Sequence, residues 1–192
     1  VSMGRGGPTE PQVAEISPTV DDLLELSRAG AHAASDYLET AALAGVPTIG
    51  CRRAGGGLAG ASWTTNLADG MRKALERDPE LVIFDGSGAA IPPVEANARV
   101  LVAGANQGPD LVTGYLNAYR ILVSDLVILT MSEHGADHEA VAAAVADVKD
   151  LTVVATVLRP RPVASIEGRR VERMPIHLRA EVLGPAARRQ AV

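Results

Sequence analysis

Asp85 closes the run Leu81-Val82-Ile83-Phe84-Asp85 and is followed by Gly86-Ser87-Gly88. Four apolar residues ending in a carboxylate have the form of a Walker B strand, whose Asp holds or orders Mg2+ at the phosphates of a nucleotide. The glycines after it let backbone N–H groups come close to an anion. Asp85 is therefore a candidate metal ligand and catalytic residue, and Gly86, Ser87 and Gly88 a candidate nucleotide or phosphate path. A strand-ending Asp that merely caps the next turn would give the same short pattern. Cys51-Arg52-Arg53-Ala54-Gly55-Gly56-Gly57 sets two fixed cations beside a glycine run. An Arg fork grips phosphate or carboxylate through two parallel hydrogen bonds, so such a loop can wrap a small polyanion. The alternative is a surface loop with both arginines solvated. Gly4-Arg5-Gly6-Gly7-Pro8 has the same make-up, and Arg159 and Arg161 each precede a proline whose ring holds them extended.

His32 and Asp36 stand four apart on an expected helix and so share a face. They suit an acid–base pair or the orientation of a phosphate, or else form an ordinary surface pair. Tyr115, Tyr119 and Arg120 also fall on one helical face, where packing is the expected role. His134 and His138 have metal-ligand spacing interrupted by Gly135. No G-x-x-x-x-G-K-[S/T] string occurs, and neither Lys73 nor Lys149 follows a Gly-rich loop. The 192 residues therefore hold no Walker A loop.

Apolar runs alternating with helical patterns predict an α/β fold, a mostly parallel sheet with flanking helices. Thr19 is the expected cap of a helix with Asp21 and Asp22 in its first turn and Leu23, Leu24 and Leu26 on its buried side. A second helix is expected from about His32 to Ala44, stopped at Gly45. Val46–Gly50 then reads as a strand with Cys51–Gly57 as its loop. Asn66 can cap a helix running to about Arg77. Leu81–Phe84 is the clearest strand signal, followed by strands at Val100–Ala103, Leu126–Thr130 and Leu151–Leu158, with a helix at Ala136–Val148 before the last. In open α/β sheets ligands bind beyond the carboxyl ends of the strands, so the loops after Met3, Gly50, Phe84 and Leu158 are expected to face one site.

A length of 192 residues and a 47% hydrophobic share predict one packed domain, with a core of Ala, Val, Leu and Ile because aromatics are only 3%. Sixteen of the 18 basic residues are arginines, an excess that suits phosphate chemistry and equally suits codon bias. A net charge of −5 and a pI near 5.4 argue against a general nucleic-acid binder. The single Cys51 can form no internal disulfide, which favours a reducing, cytoplasmic setting. No apolar run nears the roughly 18 residues of a membrane span, and no signal peptide opens the chain. Val1–Met3 instead reads like the end of a strand entering a Gly-rich loop, as in a chain opened in mid-domain.

Longer strings carry a resemblance. Met3-Gly4-Arg5-Gly6-Gly7-Pro8, Ser27 through Glu39, Gly45 through Arg53 with its glycine run, and Gly86 through Val94 resemble the cyclic 2,3-diphosphoglycerate synthetase family. Gly114-Tyr115, Tyr119-Arg120, Ser124-Asp125-Leu126, Thr130-Met131 and Arg159-Pro160-Arg161-Pro162 continue it in order. That family is similar to P-loop NTPases and uses ATP and Mg2+ to close 2,3-diphosphoglycerate into an intramolecular phosphoanhydride. Its members carry a Walker A loop upstream of the Met-Gly-Arg-Gly-Gly-Pro string, where this sequence begins.

The resemblance therefore implies a P-loop NTPase-like fold incomplete at the N-terminus. Residues 1–162 would be a partial catalytic domain and 163–192 an Arg/Pro-rich appendage. The implied activity is an ATP-dependent ligase acting on a small phosphorylated substrate, with no nucleic acid or membrane partner and a homo-oligomer left open. Asp85, Arg52, Arg53, His32 and Asp36 are the implied catalytic set. Arg5, Gly6, Gly7, Gly55, Gly56, Gly57, Arg159 and Arg161 are the implied substrate contacts. Two alternatives stay open: a non-catalytic polyanion-binding module, and a related P-loop ligase or kinase with another acidic substrate.

Overall fold

The computed structural model describes residues 1–5, 7–14, 19–29, 36–54, 61–86, 90–133, 137–160 and 176–183. The chain divides into two compact units, Val1–Glu95 and Ala96–Val192.

The first unit is built on β3 (Thr48–Ala54), which pairs in parallel with β1 (Ser2–Arg5) and antiparallel with β2 (Gln12–Ala14) and the two-residue β4 (Thr64–Thr65). The sheet is thus mixed rather than mostly parallel. The register sets Ser2 against Gly50, Met3 against Cys51, Gly4 against Arg52 and Arg5 against Arg53. The strand expected to end at Gly50 therefore runs on through both arginines, because β1 supplies backbone partners along that stretch. Leu81–Phe84, the clearest strand signal, is extended without being a full strand. Its bonds to β1 are Val1 N to the Ile83 carbonyl (2.7 Å), Asp85 N–H to the Val1 carbonyl (2.8 Å) and Met3 N–H to the Asp85 carbonyl (3.1 Å), which complete one parallel bridge, Ser2–Asp85.

Side chains alternate across these strands. Met3, Ile49 and Cys51 pack with Leu67 and Ala74 of α3 (Leu67–Leu75), joined by Val82 and Phe84. On the other face Tyr37 of α2 (Asp36–Ala44) lies flat on Gly50, where any Cβ would overlap its ring. The Tyr37 hydroxyl donates to Gln12 Oε1 at 2.9 Å, tying α2 to β2. Each fully buried Leu, Ile or Met contributes about 1.5–3 kcal/mol, so Met3 and Leu67 are principal fasteners of this layer.

Helix α1 (Val20–Arg28) starts as expected: Thr19 Oγ1 accepts from the Asp22 N–H (3.2 Å) and Asp22 Oδ2 accepts from the Thr19 N–H (2.7 Å). This reciprocal pair satisfies two N-terminal donors. Leu24, expected inside, is exposed. Helix α2 ends at Ala44 before Gly45 at φ +64°, the left-handed stop that the glycine predicts.

The second unit holds a sheet in the order β5-β6-β7-β8. Strands β5 (Val100–Gly104), β6 (Leu126–Thr130) and β7 (Thr152–Pro160) are parallel, and β8 (Ile176–Leu183) returns antiparallel to β7. Strand β7 runs two residues past its expected end, because β8 pairs with it as far as Pro160. Val127, Leu129 and Val153 form the core with Val112 of α4 (Pro109–Thr113), Ile121 of α5 (Asn117–Leu122) and Val141 and Val145 of α6 (His138–Val148). Asp137 caps α6, its carboxylate accepting from the Ala140 N–H at 2.9 Å. Tyr115 and Tyr119, expected to pack, are exposed, and Tyr115 lies outside α5. Buried Thr156 and Ser132 both donate to the Leu129 carbonyl, at 3.1 and 3.2 Å, so the end of β6 is locked to β7 without an unsatisfied hydroxyl.

Candidate functional site

The first unit brings four of the chemistry-bearing positions to one end of its sheet. Arg5 and Arg53 are register partners at the carboxyl ends of β1 and β3, roughly 5 Å apart between Cα atoms. Arg52 precedes Arg53 and so projects to the opposite face: Arg52 is exposed, whereas Arg53 is 9% exposed on the α3 side. The two arginines expected to act together from one loop are therefore divided by the sheet. Asp85 pairs with Ser2 and is exposed. Val82 and Phe84 occupy the α3 side, so alternation sets Asp85 on the face of Arg52. Two strand spacings and two residues separate Asp85 from Arg52, roughly 11–12 Å between Cα atoms.

Gly7 lies so close to the Cys51 carbonyl that a Cβ would overlap it, and its N–H donates to the Gly4 carbonyl at 3.2 Å. The glycine thus serves a close backbone approach, as well as any role at an anion. Gly86 stands against the Ala90 carbonyl and Pro92, both 3.2 Å from an added Cβ. Asp36 is the first residue of α2, and Arg159 lies on β7 of the second unit opposite His177. Gly6, His32, Gly55, Gly56, Gly57, Ser87, Gly88, His134 and Arg161 lie outside the described residues, as do the side chains of Arg5, Asp36 and Arg159.

Cys51 is buried between the sheet and α3, with its sulfur filling the space beside Gly70. Burial pushes its thiol above the ordinary value, so it stays protonated at neutral pH and is an inert packing group. Among the described residues no group of three or more His, Cys, Asp or Glu gathers in a metal-binding arrangement. One exposed carboxylate, Asp85, nevertheless fits Mg2+, which is commonly held by one or two carboxylates together with waters and substrate phosphates.

Residues 1–160 match the family described as cyclic 2,3-diphosphoglycerate synthetase, P-loop domain. The chain belongs to that family. A cyclic 2,3-diphosphoglycerate synthetase of Rubrobacter xylanophilus is 54% identical over 179 residues, covering 89% of this chain and 40% of that protein. Its counterpart in Methanothermus fervidus is 42% identical over 179 residues, covering 89% and 39%. That of Thermococcus onnurineus is 37% identical over 177 residues, covering 89% and 41%. The chain spans about two-fifths of the length of these curated relatives.

Within this member of the synthetase family, one residue at the strand ends has a role that its type and local setting do not announce. Asn66, the expected cap of α3, makes no side-chain cap bond. Its Oδ1 accepts from the Arg52 N–H at 2.6 Å, and its Nδ2 donates to the carbonyls of Pro8 (3.1 Å) and Thr9 (3.0 Å). The signal for this role is absent from local sequence, because its partners lie 14, 58 and 57 residues away. Among the described residues no helix is long and apolar enough to cross a membrane.

Proposed function

We propose that this chain is the substrate-handling part of an ATP- and Mg2+-dependent synthetase that converts 2,3-diphosphoglycerate to its cyclic phosphoanhydride. The observation that carries this reading is the family match along residues 1–160, which includes every candidate side chain of the first unit. Arg52, on the face shared with Asp85, holds the phosphates and carboxylate of the substrate, neutralising charge that would otherwise keep its two phosphoryl groups apart, and Arg5 at the end of β1 is a further substrate contact. Arg53, largely buried beside Arg5, braces that strand end. Gly86, Ser87 and Gly88 are assigned to the phosphate path, and Arg159 and Arg161, in the second unit, are candidate anion contacts of that unit. His32 and Asp36 stand as acid–base or phosphate-orienting groups. Asp85 would hold Mg2+ or its water shell, and the ion, when bound, neutralises phosphate charge.

The ATP site does not fit within these 192 residues alone, since they contain no Walker A loop and no lysine after a Gly-rich turn. We assign that loop to sequence beyond this chain, in keeping with the two-fifths share of the relatives' length. The end of the family match at residue 160 supports treating 163–192 as an appendage. The buried free thiol of Cys51 suits a reducing cytoplasm.

The test is to assay the chain alone and joined to a Walker A segment from the Rubrobacter xylanophilus relative, following product by phosphorus NMR. Cyclic product that requires both ATP and Mg2+ in the joined protein is the expected result. Its absence there overturns the reading. A second reading, a polyanion-binding module without catalysis, is favoured by the missing lysine alone. It predicts calorimetric binding of 2,3-diphosphoglycerate, none of ATP, and no turnover in the joined protein.

A further inference from the structure

We propose that Asn66 is a positioning residue for anion binding, fixing the segment that leaves β1 against the backbone of Arg52. The proposal rests on the reading of Arg52 as a substrate contact. Its amide oxygen takes the Arg52 N–H, and its own backbone N–H donates to the Arg52 carbonyl at 3.2 Å. One residue thus holds both backbone groups of Arg52. Both Nδ2 hydrogens go to the chain descending from Arg5, one to Pro8 and one to Thr9. That chain is held again at Pro11, whose carbonyl accepts from Lys73 Nζ of α3 at 2.8 Å. With Gly7 seated on the Cys51 carbonyl, the segment is fixed at four places, and one planar amide sets its spacing from Arg52.

The chemistry needed is narrow. The side chain must offer an acceptor on one side and two donors on the other at a single reach, which Asn alone does. Asp keeps the acceptor for Arg52 and turns an oxygen toward two carbonyls. Gln keeps every group and lengthens the reach by one methylene. Both leave Arg52 in its strand while altering the distance between it and the Gly7–Thr9 segment, which is what a positioning role requires.

Wild type, Asn66→Asp, Asn66→Gln and Leu67→Ala are titrated calorimetrically with inorganic pyrophosphate and with 2,3-diphosphoglycerate, after their melting temperatures are recorded. Pyrophosphate reports anion binding at Arg52 and the Gly7–Thr9 segment whatever the true substrate. Asn66→Asp is expected to raise the pyrophosphate Kd about tenfold or more, with Asn66→Gln between it and wild type. Leu67→Ala, a cavity in the core cluster under the same helix, is expected to lower the melting temperature with Kd unchanged. Equal Kd values in wild type and both Asn66 variants overturn the proposal, as does an equal rise in Leu67→Ala. Pyrophosphate binding without 2,3-diphosphoglycerate binding in wild type overturns the substrate reading alone. Binding of neither overturns both.

Discussion

Arg52 and Arg53 are adjacent in sequence and lie on opposite faces of β3, one exposed and the other 9% exposed. Their substitutions should therefore separate. Arg52→Ala is expected to weaken pyrophosphate binding about tenfold, the worth of a charge-assisted contact, while changing stability by under about 0.5 kcal/mol. Arg53→Ala is expected to cost about 2 kcal/mol, because it empties a buried position whose stem packs against the α3 layer. Calorimetry and urea unfolding on the two variants check this. Equal stability losses would mean that the faces are assigned wrongly.

A second prediction concerns Gly70 and Cys51. Alanine in a helix interior normally gains about 1 kcal/mol over glycine. Here the added methyl would overlap the Cys51 sulfur, which is buried against Met3 and Leu67 and has nowhere to move. Overpacking of this kind costs about 1–3 kcal/mol, so Gly70→Ala is expected to destabilise on balance. Cys51→Ala in the same chain should recover part of the loss. Additive effects in the double-mutant cycle would contradict the contact.

The start of α1 gives a pH dependence. Hydrogen bonds from Thr19, side chain first and then backbone, hold the Asp22 carboxyl below the ordinary carboxylate range. A depressed folded-state value stabilises the helix above the unfolded value and loses that contribution as pH falls through the folded one. The protection of the Val20–Arg28 amides, corrected for the intrinsic exchange rate at each pH, should thus be flat from neutral pH to about pH 4 and fall below it. Asp22→Asn should flatten the acid limb, and a loss of corrected protection toward alkaline pH instead would reverse the assignment.

Lys149 donates to the carbonyls of Leu122 (3.1 Å) and Ser124 (2.5 Å), at the end of α5 and the turn into β6. Lys149→Met keeps most of the stem and removes the donors. The expected loss is about 1 kcal/mol, measured by denaturant midpoint in the presence and absence of salt. No loss at either ionic strength would show the contact to be inconsequential.

The candidate positions of the first unit are picked out in the amino-acid sequence by residue type and by the strand-end rule: Asp85 at the end of an apolar run, and arginines beside glycines. The Thr19 start, the Gly45 stop and strands β5 and β6 are equally legible, since each depends on neighbours in sequence. The features that are not legible depend on distant partners. The strand through Arg52 and Arg53 exists because β1, nearly 50 residues earlier, supplies its ladder. Asn66 has the composition of a helix cap and is drawn away by Pro8, Thr9 and Arg52. Tyr115 and Tyr119 share a face only if α5 is extended backwards, whereas Leu116 at φ +68° ends that continuity.

Lys73 and Lys149 are the two lysines that do not follow a phosphate loop. Each instead anchors backbone carbonyls, one in Val1–Glu95 and one in Ala96–Val192. Each unit thus carries a single lysine coupled to its own tertiary closure. Acetylation rates at the two lysines, resolved by mass spectrometry, would give one residue-level clock per unit, timing how often each lets go of its strap under native conditions.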